Sequence, residues 1–204
     1  CDLFRRPAQL PTERPDESGK MPPMEPTEIT AGRLHLRPFT AADADGVLAA
    51  CQDPELQRWV PVPAPYLREH AAEYVQANSV EGWRSGAGHA FAVLDATSAE
   101  LLASIGLPRR DDAAGIAEVG YWVAPGARGK GVATQATLAV ARWAFGALGV
   151  QRLEWMAETG NVASRRVAEK AGFTIEGVLR SRMLRRGGGR SDAWIGSLLP
   201  ADLP

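Results

Sequence analysis

The segment RGKGVAT, Arg128–Thr134, lies between a predicted strand and a predicted long helix. The apolar strand covers residues 117–123, and a helix rich in Ala and Leu begins at Val132 and ends near 145–148. A glycine-rich turn that opens a helix presents unpaired backbone N–H groups at the positive end of the helix dipole. Such a turn favours a phosphate or pyrophosphate, so the segment predicts a phosphorylated ligand.

Only one of three glycine-rich phosphate motifs fits this turn. A Walker loop needs Gly at position 124 and Ser or Thr at position 131, where the chain has Ala124 and Gly131. The dinucleotide fingerprint lacks its third glycine, because Thr134 occupies that place. The pattern R/Q-x-x-G-x-G/A is met by Arg128, Gly131 and Ala133. It resembles the coenzyme A pyrophosphate loop of the GNAT N-acetyltransferase superfamily.

A second segment, residues 161–173, supports the same resemblance. Asn161 is a favourable helix N-cap, Gly172 is a favourable C-terminal stop, and small apolar residues form a stripe between them. A strand followed by an Asn-capped helix that ends in Gly-Phe is also typical of GNAT proteins. The segments 34–39 and 189–199 are similar to the branch that acetylates ribosomal-protein N-termini. The resemblance covers roughly residues 30 to 200.

The order of predicted elements indicates an α+β fold. The resemblance implies a single GNAT-like domain with a mixed, mostly antiparallel sheet and helices on both faces. Besides the elements named above, hydrophobic patterning predicts strands at 33–37, 89–94, 101–107 and 153–157, helices at 42–50, 53–59 and 66–82, and a last hairpin around 187–189.

Residues 1–28 differ from the rest of the chain, because six prolines interrupt a polar run with little periodicity. This composition predicts a flexible or extended arm in front of a domain at 29–204. Two alternatives are a biological start at Met21 or Met24 and an arm docked on a neighbouring subunit.

Composition limits the class of protein. A chain of 204 residues with 45% hydrophobic residues suits one globular domain, and a net charge of −1 argues against direct nucleic-acid binding. No apolar run reaches the ~18 residues of a membrane span. Cys1 and Cys51 make no disulfide framework, which suits a cytoplasmic protein, and three scattered histidines offer no metal spacing.

The resemblance implies acetyl-CoA as co-substrate and no metal. The phosphate loop and the backbone where the strand diverges from its neighbour would contact the cofactor, with Asn161 beside the pantetheine arm. The implied cofactor residues are Trp122, Val123, Arg128, Gly129, Lys130, Gly131, Val132, Ala133, Thr134 and Asn161.

Acetyl transfer needs a proton acceptor for the amine and a proton donor for the thiolate. Strand alternation places Glu118 on one face with Gly120 and Trp122, and in the family a carboxylate on this strand acts as base, often through water. The alternative is a solvated carboxylate. Many GNAT proteins have a Tyr acid where this chain has Ala168. In the ribosomal-protein branch a serine at the place of Ser164 has that role; the alternative is a small residue packed under the cofactor.

The acceptor cleft is expected between the early helices and the last hairpin. Trp59 and Tyr66 are candidates for its wall, although aromatic residues here more often form core. Five arginines around the last hairpin suggest a solvated rim, or else contact with an acidic acceptor or with the 3′-phosphate of the cofactor; they are Arg180, Arg182, Arg185, Arg186 and Arg190.

The sequence thus predicts an N-acetyltransferase that moves an acetyl group directly from acetyl-CoA to a primary amine in a ternary complex. The acceptor is a protein N-terminus or a small-molecule amine, and the protein is a monomer or homodimer. A catalytically silent acyl-CoA-binding module is the main alternative, because the Tyr is missing at Ala168. A nicotinamide dehydrogenase is a third possibility and rests only on the incomplete glycine fingerprint.

Overall fold

The structure, a computed structural model, describes residues 24–185 and 188–204. These residues form eight strands and six α-helices. In chain order they are β1 Ile29–Ala31, β2 Leu34–Pro38, α1 Ala44–Cys51, α2 Pro54–Trp59, α3 Arg68–Ala77, α4 Val80–Ser85, β3 Ala90–Asp95, β4 Leu101–Asp111, β5 Ile116–Val123, α5 Val132–Ala147, β6 Arg152–Glu158, α6 Val162–Lys170, β7 Thr174–Leu184 and β8 Arg190–Leu198.

All eight strands belong to one sheet in the order β1-β2-β3-β4-β5-β6-β8-β7. Neighbouring strands are antiparallel except β5 and β6, which run parallel and are joined through α5. A parallel pair needs a crossover connection, and the helix supplies it. The predicted mixed, mostly antiparallel α+β sheet is confirmed.

The two faces of the sheet carry separate hydrophobic layers. On β3, Phe91 and Val93 pack in the layer that contains α5, whereas Ala92 and Leu94 pack in the layer that contains α1, α2 and α3. Successive side chains of a strand point to opposite faces, so one strand serves both layers. On β5, Trp122 joins the second layer while Val119 joins the first, which confirms the predicted alternation and the helices on both faces.

Helix α5 lies close to the sheet because its buried face is made of small residues. Ala136, Val140 and Ala144 are each at most 1% exposed and recur every four residues, so they lie on one face of the helix. This face contacts β4 and β5. The packing fixes the N-terminus of α5 next to the C-terminal end of β5.

The predicted helix at 66–82 is wrong, because two helices occupy this region. α3 ends at Ala77, and the side-chain amide of its C-cap, Asn78, donates to the Tyr74 carbonyl oxygen at 2.9 Å and accepts from the Ala90 N–H at 2.9 Å. Ser79 then caps α4 by accepting from the Gly82 N–H at 3.2 Å. Polar side chains that bond to nearby backbone compete with helix propagation, and here they end one helix and start the next.

The predicted first strand also needs correction at its boundary. β2 begins at Leu34, and a short strand β1 precedes it and pairs with it from Ile29 to Ala31. Most of the predicted arm, residues 1–23, lies outside the described residues. Of the remainder, Met24 is 5% exposed in the layer under α5, and its N–H donates to the Trp83 carbonyl oxygen at 3.0 Å.

Candidate functional site

The predicted phosphate loop connects β5 to α5. A short 3-10 turn, Pro125–Ala127, follows the strand, and the Arg128 N–H closes it by donating to the Pro125 carbonyl oxygen at 3.3 Å. Gly129 and Gly131 then adopt φ values of +74° and +77°. Side chains with a Cβ resist this left-handed region, so the two glycines allow the chain to turn directly into the helix.

The loop presents free backbone donors to open space. The Gln135 N–H donates to the Gly131 carbonyl oxygen at 3.0 Å, so the N–H groups of Val132, Ala133 and Thr134 precede the first helical bond and have no intrahelical acceptor. A Cβ built on Gly129 or Gly131 would meet no atom within 4 Å. The donors and the space in front of them fit a pyrophosphate at the positive end of α5.

The side chain of Arg128 has partners inside the protein. It forms an ion pair with Asp53 and donates from Nε to the Val123 carbonyl oxygen at 3.3 Å. Asp53 also caps α2 by accepting from the Leu56 N–H at 2.8 Å, and the Arg128 guanidinium holds the pKa of the Asp53 carboxyl below its usual value. Sequence reasoning missed this link, because an Asp-Pro pair indicates a helix start and nothing more. Lys130 is exposed at the tip of the loop.

A gap opens between β5 and β6 beside this loop. The two strands pair only from Ile116 to Val119. Beyond that point β5 keeps its partner β4 as far as Val123, and β6 keeps its partner β8 as far as Glu158. The expected divergence is therefore present. The Trp122 side chain is 8% exposed and packs in the layer of α1–α3, so this residue offers the gap its backbone rather than its ring.

Ser164 lies at the gap and bonds to residues of β5 and β6 and to the N-cap of its own helix, α6. Its Oγ accepts from Trp155 Nε1 on β6 at 3.0 Å and lies 3.1 Å from the Tyr121 hydroxyl on β5. Tyr121 also donates to the Ser164 carbonyl oxygen at 3.1 Å, and either hydroxyl can be the donor between the phenol and Ser164 Oγ. Asn161 caps α6 by accepting from the Ser164 N–H at 3.1 Å, as predicted.

Tyr121 is the residue of this group that sequence reasoning missed. The missing Tyr at Ala168 directed attention to Ser164, but a phenol reaches the same place from β5. Burial raises the pKa of Tyr121 to about 12, and the hydrogen bond with Ser164 opposes the shift.

Glu118 lies in a cleft of about 360 Å³ on the opposite face of β5 from Tyr121. Its side chain is 17% exposed and pairs with Arg109 at 3.2 Å. Burial raises the pKa of Glu118, the positive charges of Arg109 and Arg182 oppose this shift, and the negative charge of Glu154 adds to it. A buried carboxylate with a raised pKa is suited to accept a proton near neutral pH.

The two aromatic candidates for the acceptor wall occupy different places. Trp59 is half-buried, and a Cβ on Gly160 would lie 3.8 Å from its ring, so the indole stands beside the turn that leads to Asn161. Tyr66 is 4% exposed within the layer of α1–α3, beside Cys51, and burial raises the pKa of its phenol. In this structure Tyr66 supports the helices and Trp59 remains the candidate for direct contact.

The arginines of the last hairpin differ in their partners and in their locations. Arg185 pairs with Glu158 at 2.8 Å, and Arg190 donates to the Ser181 carbonyl oxygen at 2.6 Å. Arg182 lines the Glu118 cleft, whereas Arg180 is exposed outside it. Arg186 lies outside the described residues.

The described part of the chain has neither a metal-binding cluster nor a membrane-spanning helix. No group of His, Cys, Asp and Glu side chains there is arranged to hold a metal ion. None of the helices in residues 24–185 and 188–204 has both the length and the apolar character to cross a bilayer.

Comparison with known proteins identifies the family. The profile described as "Acetyltransferase (GNAT) domain" matches residues 33–174. The chain is similar to the uncharacterized N-acetyltransferase YoaA of Bacillus subtilis, with 30% identity over 159 residues, which cover 78% of this chain and 89% of YoaA.

Solved structures show the same fold. The ribosomal-protein-S5-alanine acetyltransferase of Vibrio fischeri superposes with a TM-score of 0.73 at 18% identity, over 87% of this chain and 99% of that one. RimJ of Mycobacterium smegmatis, solved in complex with CoA-disulfide, superposes with a TM-score of 0.71 at 23% identity, over 88% of both chains. The resemblance to the GNAT family noted from the sequence is confirmed, and these solved structures share its fold.

Proposed function

The chain belongs to the GNAT acetyltransferase family, and from that premise we propose that it transfers an acetyl group from acetyl-CoA directly to a primary amine in a ternary complex. The observation that carries the proposal is the divergence of β5 from β6 beyond Val119. Glu118 stands just before the gap and the phosphate loop follows it. Along β5, Glu118 lies roughly 16 Å from Val123, where the strand ends and the loop begins, since a strand rises about 3.3 Å per residue.

The loop and the gap would hold acetyl-CoA, which supplies the activated thioester. The N–H groups of residues 132–134 would bind the pyrophosphate, with Gly129 and Gly131 leaving room for it. Backbone of Trp122 and Val123 would line the gap, and Asn161 would stand at its far side. Arg128 would act on this site through the shape of the loop, since its own guanidinium is paired with Asp53.

The remaining residues would handle protons and the acceptor. Glu118 would take the proton that the amine loses, directly or through water, because its pKa is raised in the cleft. Ser164 would supply a proton to the leaving sulfur and recover one from Tyr121, whose phenol lies 3.1 Å from the serine Oγ and can donate to it. Trp59 would contact the acceptor. The resemblance to the ribosomal-protein branch favours a protein N-terminus, and a small-molecule amine remains the alternative.

Calorimetric titration with acetyl-CoA, with NAD as the control ligand, tests the proposal. We expect selective binding of acetyl-CoA that Gly131→Leu abolishes, because a side chain there enters the open space before the free N–H groups. Gly149→Leu is the matched control. Gly149 also has a positive φ, +68°, and open space around it, but it lies at the other end of α5.

Three results would separate the alternatives. Equal loss of binding in both variants would mean that backbone strain rather than the loop is responsible. Failure of the wild type to bind acetyl-CoA would refute the proposal and the silent-module alternative together. Binding without turnover of any amine in a broad panel would favour the silent module.

A further inference from the structure

Strand β7 contains a bulge that redirects one side chain. Leu179 pairs with Ala193 on β8, but the next regular pair is Met183 with Ser191. β7 therefore uses more residues than β8 over this stretch. A bulge of this kind bends the strand and changes the direction in which its side chains point, and bulges are frequent beside active sites.

Side chains of the neighbouring strand hold the bulge in place. Ser181 has a φ of +52°, which is uncommon for a residue with a Cβ. Its N–H donates to Asp192 Oδ1 at 2.8 Å, and its carbonyl oxygen accepts from Arg190 Nε at 2.6 Å. Both backbone groups of the bulged residue are thus satisfied by β8.

The consequence of the bulge appears at the Glu118 cleft. Leu179 and Arg182 both line this cleft, although residues three apart in an uninterrupted strand face opposite sides of the sheet. Without the bulge, Arg182 would point away from Glu118. The bulge therefore brings one cation into the acceptor side of the site.

The other charged groups of the cleft already have partners. Arg109 pairs with Glu118 at 3.2 Å, and Glu154 pairs with Arg152 at 2.9 Å. Arg110 pairs with Asp112, although its buried Nη1 has no partner among the described residues, and Asp111 accepts from the Ala114 N–H at 2.9 Å. Among residues 24–185 and 188–204, Arg182 forms no ion pair. Its charge acts on Glu118 from within the cleft.

We propose that Arg182 binds an anionic group of the acceptor, so the acceptor is an amine that also carries a carboxylate or phosphate. This inference rests on the proposed acetyl transfer and names the acceptor class for it. A guanidinium forms charge-assisted, often bidentate hydrogen bonds with such groups. Polycationic amines would be poor acceptors.

Two isosteric pairs of acceptors test the proposal. They also distinguish two sources of the anionic group, a free amino acid and an acidic peptide. Alanine against alaninamide represents a free amino acid, and Ser-Asp-amide against Ser-Asn-amide represents an acidic peptide N-terminus. The measurements are kcat/KM at saturating acetyl-CoA and calorimetric binding of each acceptor to the CoA-bound protein. We expect the charged member of one pair to be favoured at least ~10-fold in the wild type, as for hydrogen bonds to charged groups.

Substitutions at two arginines test whether Arg182 causes the preference for the charged acceptor. Arg182→Gln should bring the two members of the favoured pair within about twofold of each other, because the neutral amide cannot pair with the anion. Arg180→Gln, an exposed arginine two residues away and outside the cleft, should keep the wild-type preference. Both changes are at exposed side chains, so the fold should tolerate them.

The proposal is overturned if both pairs are used without regard to charge, if neither member of either pair binds, or if Arg182→Gln weakens both members equally. These results are distinct from failure of acetyl transfer itself. Charge-blind acetylation by a protein that binds acetyl-CoA refutes only the Arg182 assignment. Charge-selective binding without acetyl transfer refutes the enzymatic function and leaves the anion site in place.

Discussion

At the scale of single residues, burial and neighbouring charges act together on the pKa of the Glu118 carboxyl. Its burial raises the pKa above the ordinary 4.5, while Arg109 and Arg182 oppose the shift. Removing Arg109 removes a stabilising positive charge, so Arg109→Gln should raise the pKa of Glu118 further. Titration of the Glu118 carboxyl carbon by NMR in both proteins measures this directly, and the signal lost in Glu118→Gln assigns it.

The same carboxyl should control the rate. A base must be deprotonated to act, so kcat/KM should decline as the pH falls through the pKa of Glu118, in addition to the loss of neutral amine. Glu118→Gln should lower kcat by about 10²- to 10⁴-fold and remove this additional decline. Arg180→Gln is the control for a change in surface charge. An unchanged kcat in Glu118→Gln would leave water as the base.

At the scale of helices and strands, local sequence patterns predict most of the candidate site. They do not predict its contacts between residues that are far apart in the chain. The loop, the Asn161 cap and the alternation of β5 follow from local patterns, because glycine conformation, capping and period-2 alternation are properties of a few consecutive residues. The break at Asn78 and the bulge at Ser181 depend on partners in β3 and β8, which lie elsewhere in the chain. Local propensity cannot reveal such partners, and for this reason the sequence predicts a continuous helix at 66–82.

The Ser164 cluster, defined here as Ser164, Tyr121 and Trp155, ties α6 to β5 and β6 across the gap. Trp155 is 2% exposed, and Ser164→Ala would leave its Nε1 donor without its partner. We expect this change to lower the free energy of unfolding by about 1–3 kcal/mol, the usual effect of an unsatisfied buried donor. Tyr121→Phe should also destabilise. Urea unfolding of both single variants and of the double variant measures the effect.

The double variant distinguishes a cluster from independent contacts. Because Ser164 and Tyr121 share hydrogen bonds, their effects on unfolding should differ from additivity by more than about 0.5 kcal/mol. Additive effects would mean that Ser164 and Tyr121 stabilise the protein independently of each other. Full stability of Ser164→Ala together with a large loss of kcat would show that the hydroxyl serves chemistry rather than structure.

At the scale of the whole molecule, an ion pair connects the proposed cofactor loop to the layer on the other face of the sheet. The loop belongs to the layer that contains α5, and α2 belongs to the layer of α1–α3. Arg128 and Asp53 join them, with side chains 37% and 18% exposed. This pair connects the proposed cofactor loop to the helices that border the acceptor side, since Trp59 ends α2 beside Gly160.

Two roles of Arg128 predict opposite effects of Asp53→Asn on acetyl-CoA affinity. If Arg128 shapes the loop through Asp53, then Asp53→Asn and Arg128→Gln should weaken binding by similar factors, about two- to fivefold for a partly exposed pair, and the double variant should be no weaker than either. If Arg128 instead contacts a phosphate, Asp53→Asn should release the guanidinium and strengthen binding, whereas Arg128→Gln weakens it.

The asparagine keeps an oxygen that can accept from the Leu56 N–H, so the cap of α2 should survive. We expect the first pattern, because the guanidinium is already bonded to both Asp53 and the Val123 carbonyl oxygen, and calorimetric titration of the three variants decides between the two roles.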